Sequence, residues 1–113
     1  GAPYKWGGQS VSAGFDCSGL VVFAHRQAGF TLPRRAYDQF IKGKPVSLNN
    51  LRPADLVFFT NPGTTKSYHV GIYIGDGLFV HAPGKNREVT YARLDNPYFR
   101  KAFLGSKTFV QPG

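Results

Sequence analysis

A single cysteine, Cys17, and no methionine occur among the 113 residues. One thiol cannot close an internal disulfide. With three histidines and neither Cys-x-x-Cys nor His-x-x-x-His spacing it makes a poor zinc site, so no metal and no cofactor is expected. No apolar run approaches the roughly 18 residues that cross a bilayer, so no transmembrane segment is expected. Acidic residues are scarce, 6 against 14 Lys and Arg, for a net charge of +8. Such an excess fits a polyanionic partner (nucleic acid, an acidic lipid surface, or a wall polymer bearing carboxylate and phosphate) or simple solubility. Nucleic-acid binding calls for cations gathered on one element or interleaved with exposed aromatics. Here they stand singly or in pairs such as Arg34-Arg35 and Arg100-Lys101, and nucleic acid is not expected as a partner. Repeats and low-complexity stretches are absent too.

What remains is ordinary globular material. Apolar residues make up 42% and charged residues 18%, which excludes a disordered chain. The length supports a single domain, 1–113, with a modest core supplied by ten Phe and six Tyr.

The first fifteen residues, rich in Gly, Ser and Pro, read as loop. Asp16, a good N-cap, then leads through Cys17-Ser18-Gly19 into a helix that stops at Gly29. Leu20, Val21, Ala24 and Ala28 share one face; His25 and Arg26 occupy the last turn, where cations suit the dipole. A second helix is expected over 35–42, with Tyr37, Phe40 and Ile41 buried and Gly43 closing it. Beyond an irregular stretch framed by Pro45 and Pro53, strands are expected at 55–60, 69–74 and 78–81, and weaker ones at 89–91 and 108–110. Helices first and strands afterwards predict an α+β fold: an antiparallel sheet of about five strands with helices packed on one side.

The chemistry centres on Cys17. At a helix start, unpaired N–H groups and the positive dipole end favour thiolate over thiol, and the same groups can hold an oxyanion formed one bond away. A packing thiol would sit mid-helix on the apolar face, whereas this one lies beside Asp16, Ser18 and Gly19. A cysteine nucleophile needs a histidine base held by a third group. His25 lies two turns along the same helix, about 12 Å away, and reads as a dipole partner. His69 and His81 are the better pair. If Gly75-Asp76-Gly77 is a three-residue hairpin loop, Gly71 faces His81, and His69 lies diagonal to His81 on the same face. That diagonal is about 7 Å between backbones, within reach of two imidazoles. A two- or four-residue loop would put them on opposite faces. Gly71 leaves room above the sheet.

These residues resemble the NlpC family (NlpC and p-sixty superfamily) of papain-like cysteine peptidases of bacterial cell walls. Pro3-Tyr4-Lys5-Trp6-Gly7-Gly8 is similar to the family's opening signature and Phe15-Asp16-Cys17-Ser18-Gly19-Leu20 to its nucleophile motif. Leu32-Pro33-Arg34 and Gln39 resemble the segment after the first helix, and Asp55-Leu56-Val57-Phe58-Phe59 the strand before the base. His69-Val70-Gly71-Ile72-Tyr73-Ile74-Gly75 resembles the base motif, and Phe79-Val80-His81-Ala82-Pro83 the third catalytic position. Ala54 departs from the family's usual Gly, and Ala36 from its usual helix-capping Ser or Thr.

The resemblance implies a papain-like fold with the nucleophile at a helix N-terminus and Cys17, His69 and His81 as catalytic residues. It also implies site-lining roles for Tyr4 (a hydroxyl to the oxyanion), Asp16 (a partner for a substrate ammonium) and Ser18. The implied activity is peptidoglycan hydrolysis through a thioester, cutting stem peptides between D-glutamate and a diamino acid. An amidase or acyltransferase on the same scaffold, or a wall-binding module without turnover, are its alternatives. The implied partners are peptidoglycan stem peptides and the anionic cell wall; the implied setting is extracytoplasmic: periplasmic, at an outer membrane of a Gram-negative-like bacterium, or secreted. A monomer is expected. The family usually carries a helix ahead of the Pro-Tyr motif, so the domain is expected to be truncated at its N-terminus.

Overall fold

The computed structural model describes residues 9–10, 14–15, 17–60, 68–82 and 89–110. Tyr4 and Asp16 lie outside them. A short antiparallel pair, β1 (Gln9–Ser10) and β2 (Gly14–Phe15), precedes α1 (Cys17–Gln27). α1 ends where the sequence places its end. Gly29 takes φ 90°, the Gly29 amide donates to the Arg26 carbonyl and that of Phe30 to the His25 carbonyl, which is the Schellman closure. α2 (Ala36–Lys42) follows, then β3 (Lys44–Val46), a 3₁₀ turn at Leu48–Asn50, β4 (Leu56–Thr60), β5 (Tyr68–Gly75), β6 (Leu78–His81), β7 (Thr90–Arg93), α3 (Pro97–Ala102) and β8 (Phe103–Thr108).

Strands β3 to β8 form one six-stranded antiparallel sheet in the order β3-β8-β4-β5-β6-β7. The α+β architecture expected from the element order is the one observed. β4 lies in the interior of the sheet. Leu56 and Phe58 face Val21, Val22, Leu32, Ala36 and Val70 on the side of α1 and α2, whereas Val57 and Phe59 face Phe79 on the other side. Burial on both faces is why Leu56-Val57-Phe58-Phe59 reads as an unbroken apolar run. Each of these fully buried side chains contributes about 1.5–3 kcal/mol of transfer free energy. The second face is covered by α3, through Phe99 and Ala102, so the helices are not confined to one side as expected, and the sheet has six strands where about five are expected.

Several expectations change. In α2 the buried residues are Ala36 and Gln39; Tyr37 and Ile41 are 52% and 56% exposed, because the helix turns its i, i+3 edge and not its bulkiest one toward the sheet. Ala28 is exposed, and the buried face of α1 runs from Ser18 to Val22 and on to His25. His25 is no cationic dipole partner: its ring is buried, its Nδ1 lies 3.1 Å from the Val21 carbonyl oxygen, and burial lowers its pKa. The last strand comes earlier than expected, at Phe103–Thr108, where Gly105 and a register shift against Phe58 and Phe59 hide the alternation. β3 escapes the pattern because Pro45 interrupts it, and proline is tolerated there because β3 is an edge strand.

Candidate active site

β5 and β6 carry the two histidines. Their hairpin closes on two residues, Asp76 and Gly77, both at positive φ (55° and 76°) as a type I′ turn requires. A two-residue loop alone would set His69 and His81 on opposite faces. The ladder runs Ile72↔Val80 and Tyr73↔Phe79 but Gly75↔Leu78, so one residue of β5 bulges between Tyr73 and Gly75. That extra residue restores the parity, and the expected same-face arrangement is reached by turn plus bulge. The Tyr73 hydroxyl, accepting from the Gly77 amide at 3.0 Å, fastens the turn.

His69 Nε2 lies 2.7 Å from His81 Nδ1, a hydrogen bond between two imidazoles. One nitrogen of His69 is thereby engaged, which leaves Nδ1 for a reaction partner. Aromatic rings wall the pair: Phe59 against His69 at 6.3 Å, Phe79 and Phe99 against His81 at 5.0 and 5.5 Å between centroids. Burial, and then the adjacent His81 ring, hold His69 down to about 3; burial holds His81 down to about 4. Both rings are neutral near pH 7. Gly71 does not leave an open space as expected. A Cβ there would lie 2.5 Å from Phe79 Cδ2, so the Phe79 ring occupies the room that the glycine provides.

Cys17 is the first residue of α1, and its Sγ sits 3.9 Å from the carbonyl oxygen of Tyr68. Tyr68 is the first residue of β5 and the immediate neighbour of His69. The helix start thus abuts the strand end that carries the histidine. Ser18 is only 7% exposed; its hydroxyl accepts from Arg34 Nη1 at 2.7 Å, so it has little surface to offer a substrate. The contacts of Arg34 and Gln39 on Ser18, and of Phe99 on His81, were not foreseen. For Phe99 a signal existed. Asn96 caps α3 by accepting from the Tyr98 amide, and Pro97 stands at its first turn, a helix-start signature in a segment of only six residues.

An antiparallel sheet flanked by a helix that opens on cysteine, beside a hairpin whose two strands each bring one histidine of a bonded pair, defines the papain-like class of fold. Within it the chain belongs to the NlpC/P60 family, whose model matches residues 1–108. It is similar to murein DD-endopeptidase MepH of Escherichia coli K12, 35% identical over 115 residues covering 99% of this chain and 42% of that one. It is similar also to gamma-DL-glutamyl hydrolase of Bacillus subtilis strain 168, 41% identical over 110 residues, 96% and 26% of the two chains. A crystal structure of an NlpC/P60 family protein from Bacillus cereus ATCC 10987 superposes with a TM-score of 0.88 at 35% identity, over 98% of this chain and 36% of that one. The chain spans less than half the length of each of these proteins.

Proposed function

We propose that this domain is a cysteine endopeptidase of peptidoglycan, with Cys17 as nucleophile, His69 as general acid–base and His81 as the residue that orients His69. The observation that carries the reading is the 2.7 Å bond between His69 Nε2 and His81 Nδ1, next to a cysteine at a helix start. His81, neutral, accepts from His69 Nε2–H, which fixes the tautomer with a lone pair on Nδ1. That nitrogen takes the Cys17 proton. The thiolate attacks the amide carbonyl, and the first-turn amides of α1 stabilise the oxyanion. Imidazolium at His69 gives its proton to the departing amine; water, deprotonated by His69, then cleaves the thioester and restores the thiol.

Because burial disfavours imidazolium at His69, the charged form is tolerable only beside a negative sulfur. The proton therefore passes to His69 only as the thiolate forms beside it. His81 contributes geometry and a hydrogen bond that strengthens once His69 is charged, not a counter-charge.

The name murein DD-endopeptidase supports murein peptides as the substrate class but specifies a DD bond, whereas gamma-DL-glutamyl hydrolase supports a glutamyl amide, and we choose the D-glutamyl–diamino acid bond. The domain would act as a monomer outside the cytoplasmic membrane, in the periplasm, at an outer membrane or secreted. Tyr4 and Asp16 are proposed to line the site. Lysozyme-digested muropeptides analysed by mass test the activity and the bond that is cut. Products split within the stem peptide, absent with Cys17→Ala, support the reading; intact stems, or turnover undiminished by Cys17→Ala, overturn it.

A further inference from the structure

We propose that Arg34 and Gln39 are positioning residues that hold the first turn of α1, and with it Cys17, through the two oxygens of Ser18. The inference rests on the reading of Cys17 as nucleophile. Ser18 follows Cys17 in the chain and is almost wholly buried. Its hydroxyl accepts from Arg34 Nη1 at 2.7 Å, and its carbonyl accepts from Gln39 Nε2 at 3.4 Å. The same Gln39 amide nitrogen donates to the Pro33 carbonyl at 2.8 Å. An amide NH₂ has two hydrogens, and these two acceptors use both. Segment 33–39 therefore grips Ser18 by side chain and backbone, while the start of β5 meets Cys17 itself.

Gln39 also carries an apparent defect. It is fully buried, and its Oε1 has no donor among the described residues. A buried acceptor without a partner costs free energy, so a core position serving stability alone would be better filled by an apolar side chain of similar volume. The amide is explained by what its donors do for Ser18 and Pro33. A loosened first turn would shift the sulfur and the first-turn amides against the carbonyl under attack, and displacements of about 1 Å can cost roughly a hundredfold in rate.

The test compares Gln39→Met, Ser18→Ala, Arg34→Gln and Arg34→Lys with the parent chain by muropeptide kcat and KM, melting temperature, and the pH profile of Cys17 alkylation by iodoacetamide. Gln39→Met removes the orphaned oxygen but also takes the donor from the Pro33 and Ser18 carbonyls, so the two effects oppose and it should melt within about 5 °C of the parent. Its kcat should fall roughly 10- to 100-fold with KM held within about twofold. Ser18→Ala should likewise lower kcat and spare KM. Arg34→Lys, which can still donate to the hydroxyl, should keep more activity than Arg34→Gln. Parent kcat and an unchanged alkylation profile in these variants, whatever their melting temperatures, would overturn the proposal. A change confined to KM in Ser18→Ala would do so too, by returning Ser18 to substrate contact. If Gln39→Met fails to fold, the Arg34 pair and Ser18→Ala decide alone. Failure of the peptidase reading looks different: Cys17→Ala would then retain the parent's turnover, and the alkylation profiles would still report on the grip.

Discussion

Ala54 occupies a left-handed backbone, φ 83°, which a residue with a Cβ enters at a cost of about 1–2 kcal/mol. It is the third residue of the turn Arg52-Pro53-Ala54-Asp55, closed by the Asp55 amide on the Arg52 carbonyl, where a type II turn favours glycine. Ala54→Gly should therefore stabilise the domain by about 0.5–1 kcal/mol, after the larger chain entropy of glycine is counted. A melting temperature raised by a few degrees confirms it; a fall would refute the strain. Gly71 is the opposite case. Gly71→Ala should cost about 1–3 kcal/mol and reduce turnover, because the displaced Phe79 ring packs on His81. Unfolding curves and kcat read the two effects separately. Among the proposed catalytic residues the losses should be graded. Cys17→Ala and His69→Ala abolish turnover, whereas His81→Ala, which removes an orienting partner, leaves roughly a hundredth to a tenth of it. Complete loss in all three would refute that ranking.

Elements differ in how their ends are finished. α1 has its C-terminal closure in Gly29 and Phe30, and α3 has Asn96 on the Tyr98 amide at 2.8 Å. α2 begins after Arg35, in extended conformation with no side-chain cap, so the residue at the capping position is Arg35 and Ala36 opens the helix proper. Arg35→Ser should gain up to about 1 kcal/mol, and Asn96→Ala should lose about the same. Denaturant midpoints measure both; equal shifts of one sign would contradict the cap assignments. The Asn96 variant should also lower kcat, because α3 presses Phe99 onto His81.

For the whole molecule, the histidines tie stability to pH. A group whose folded pKa lies below its unfolded value binds fewer protons when folded. Its contribution is complete above the unfolded value of 6.5 and is lost as pH falls toward the folded values, about 3 for His69 and about 4 for His81. His25 shifts in the same direction. Melting temperature should thus decline steadily from pH 6.5 to pH 4, and less steeply in His81→Gln. A flat profile over that window would show the rings protonated in the fold. The +8 charge acts at longer range. Adsorption to anionic sacculi should weaken as salt shortens the screening length from about 10 Å at 0.1 M to about 3 Å at 1 M; binding indifferent to salt would leave the charge without that role.

What could be read from the sequence was local or periodic. Cys17 at a helix start, the Gly29 stop, the buried run of β4 and the α+β order all follow from patterns within a few turns or strand lengths. The pairing of His69 with His81 was legible as well, since strand parity and a turn of Gly and Asp lie on contiguous chain. Its route was not: the type I′ turn with a compensating bulge is chosen by the twist and packing of the sheet. Only the tertiary structure decided that Tyr37 and Ile41 stay exposed, that His25 is buried and neutral, that Phe79 fills the space over Gly71, and that Ser18 is gripped by Arg34 and Gln39. Each depends on which distant surface an element meets, and burial and hydrogen-bond geometry settle that after the local patterns have had their say.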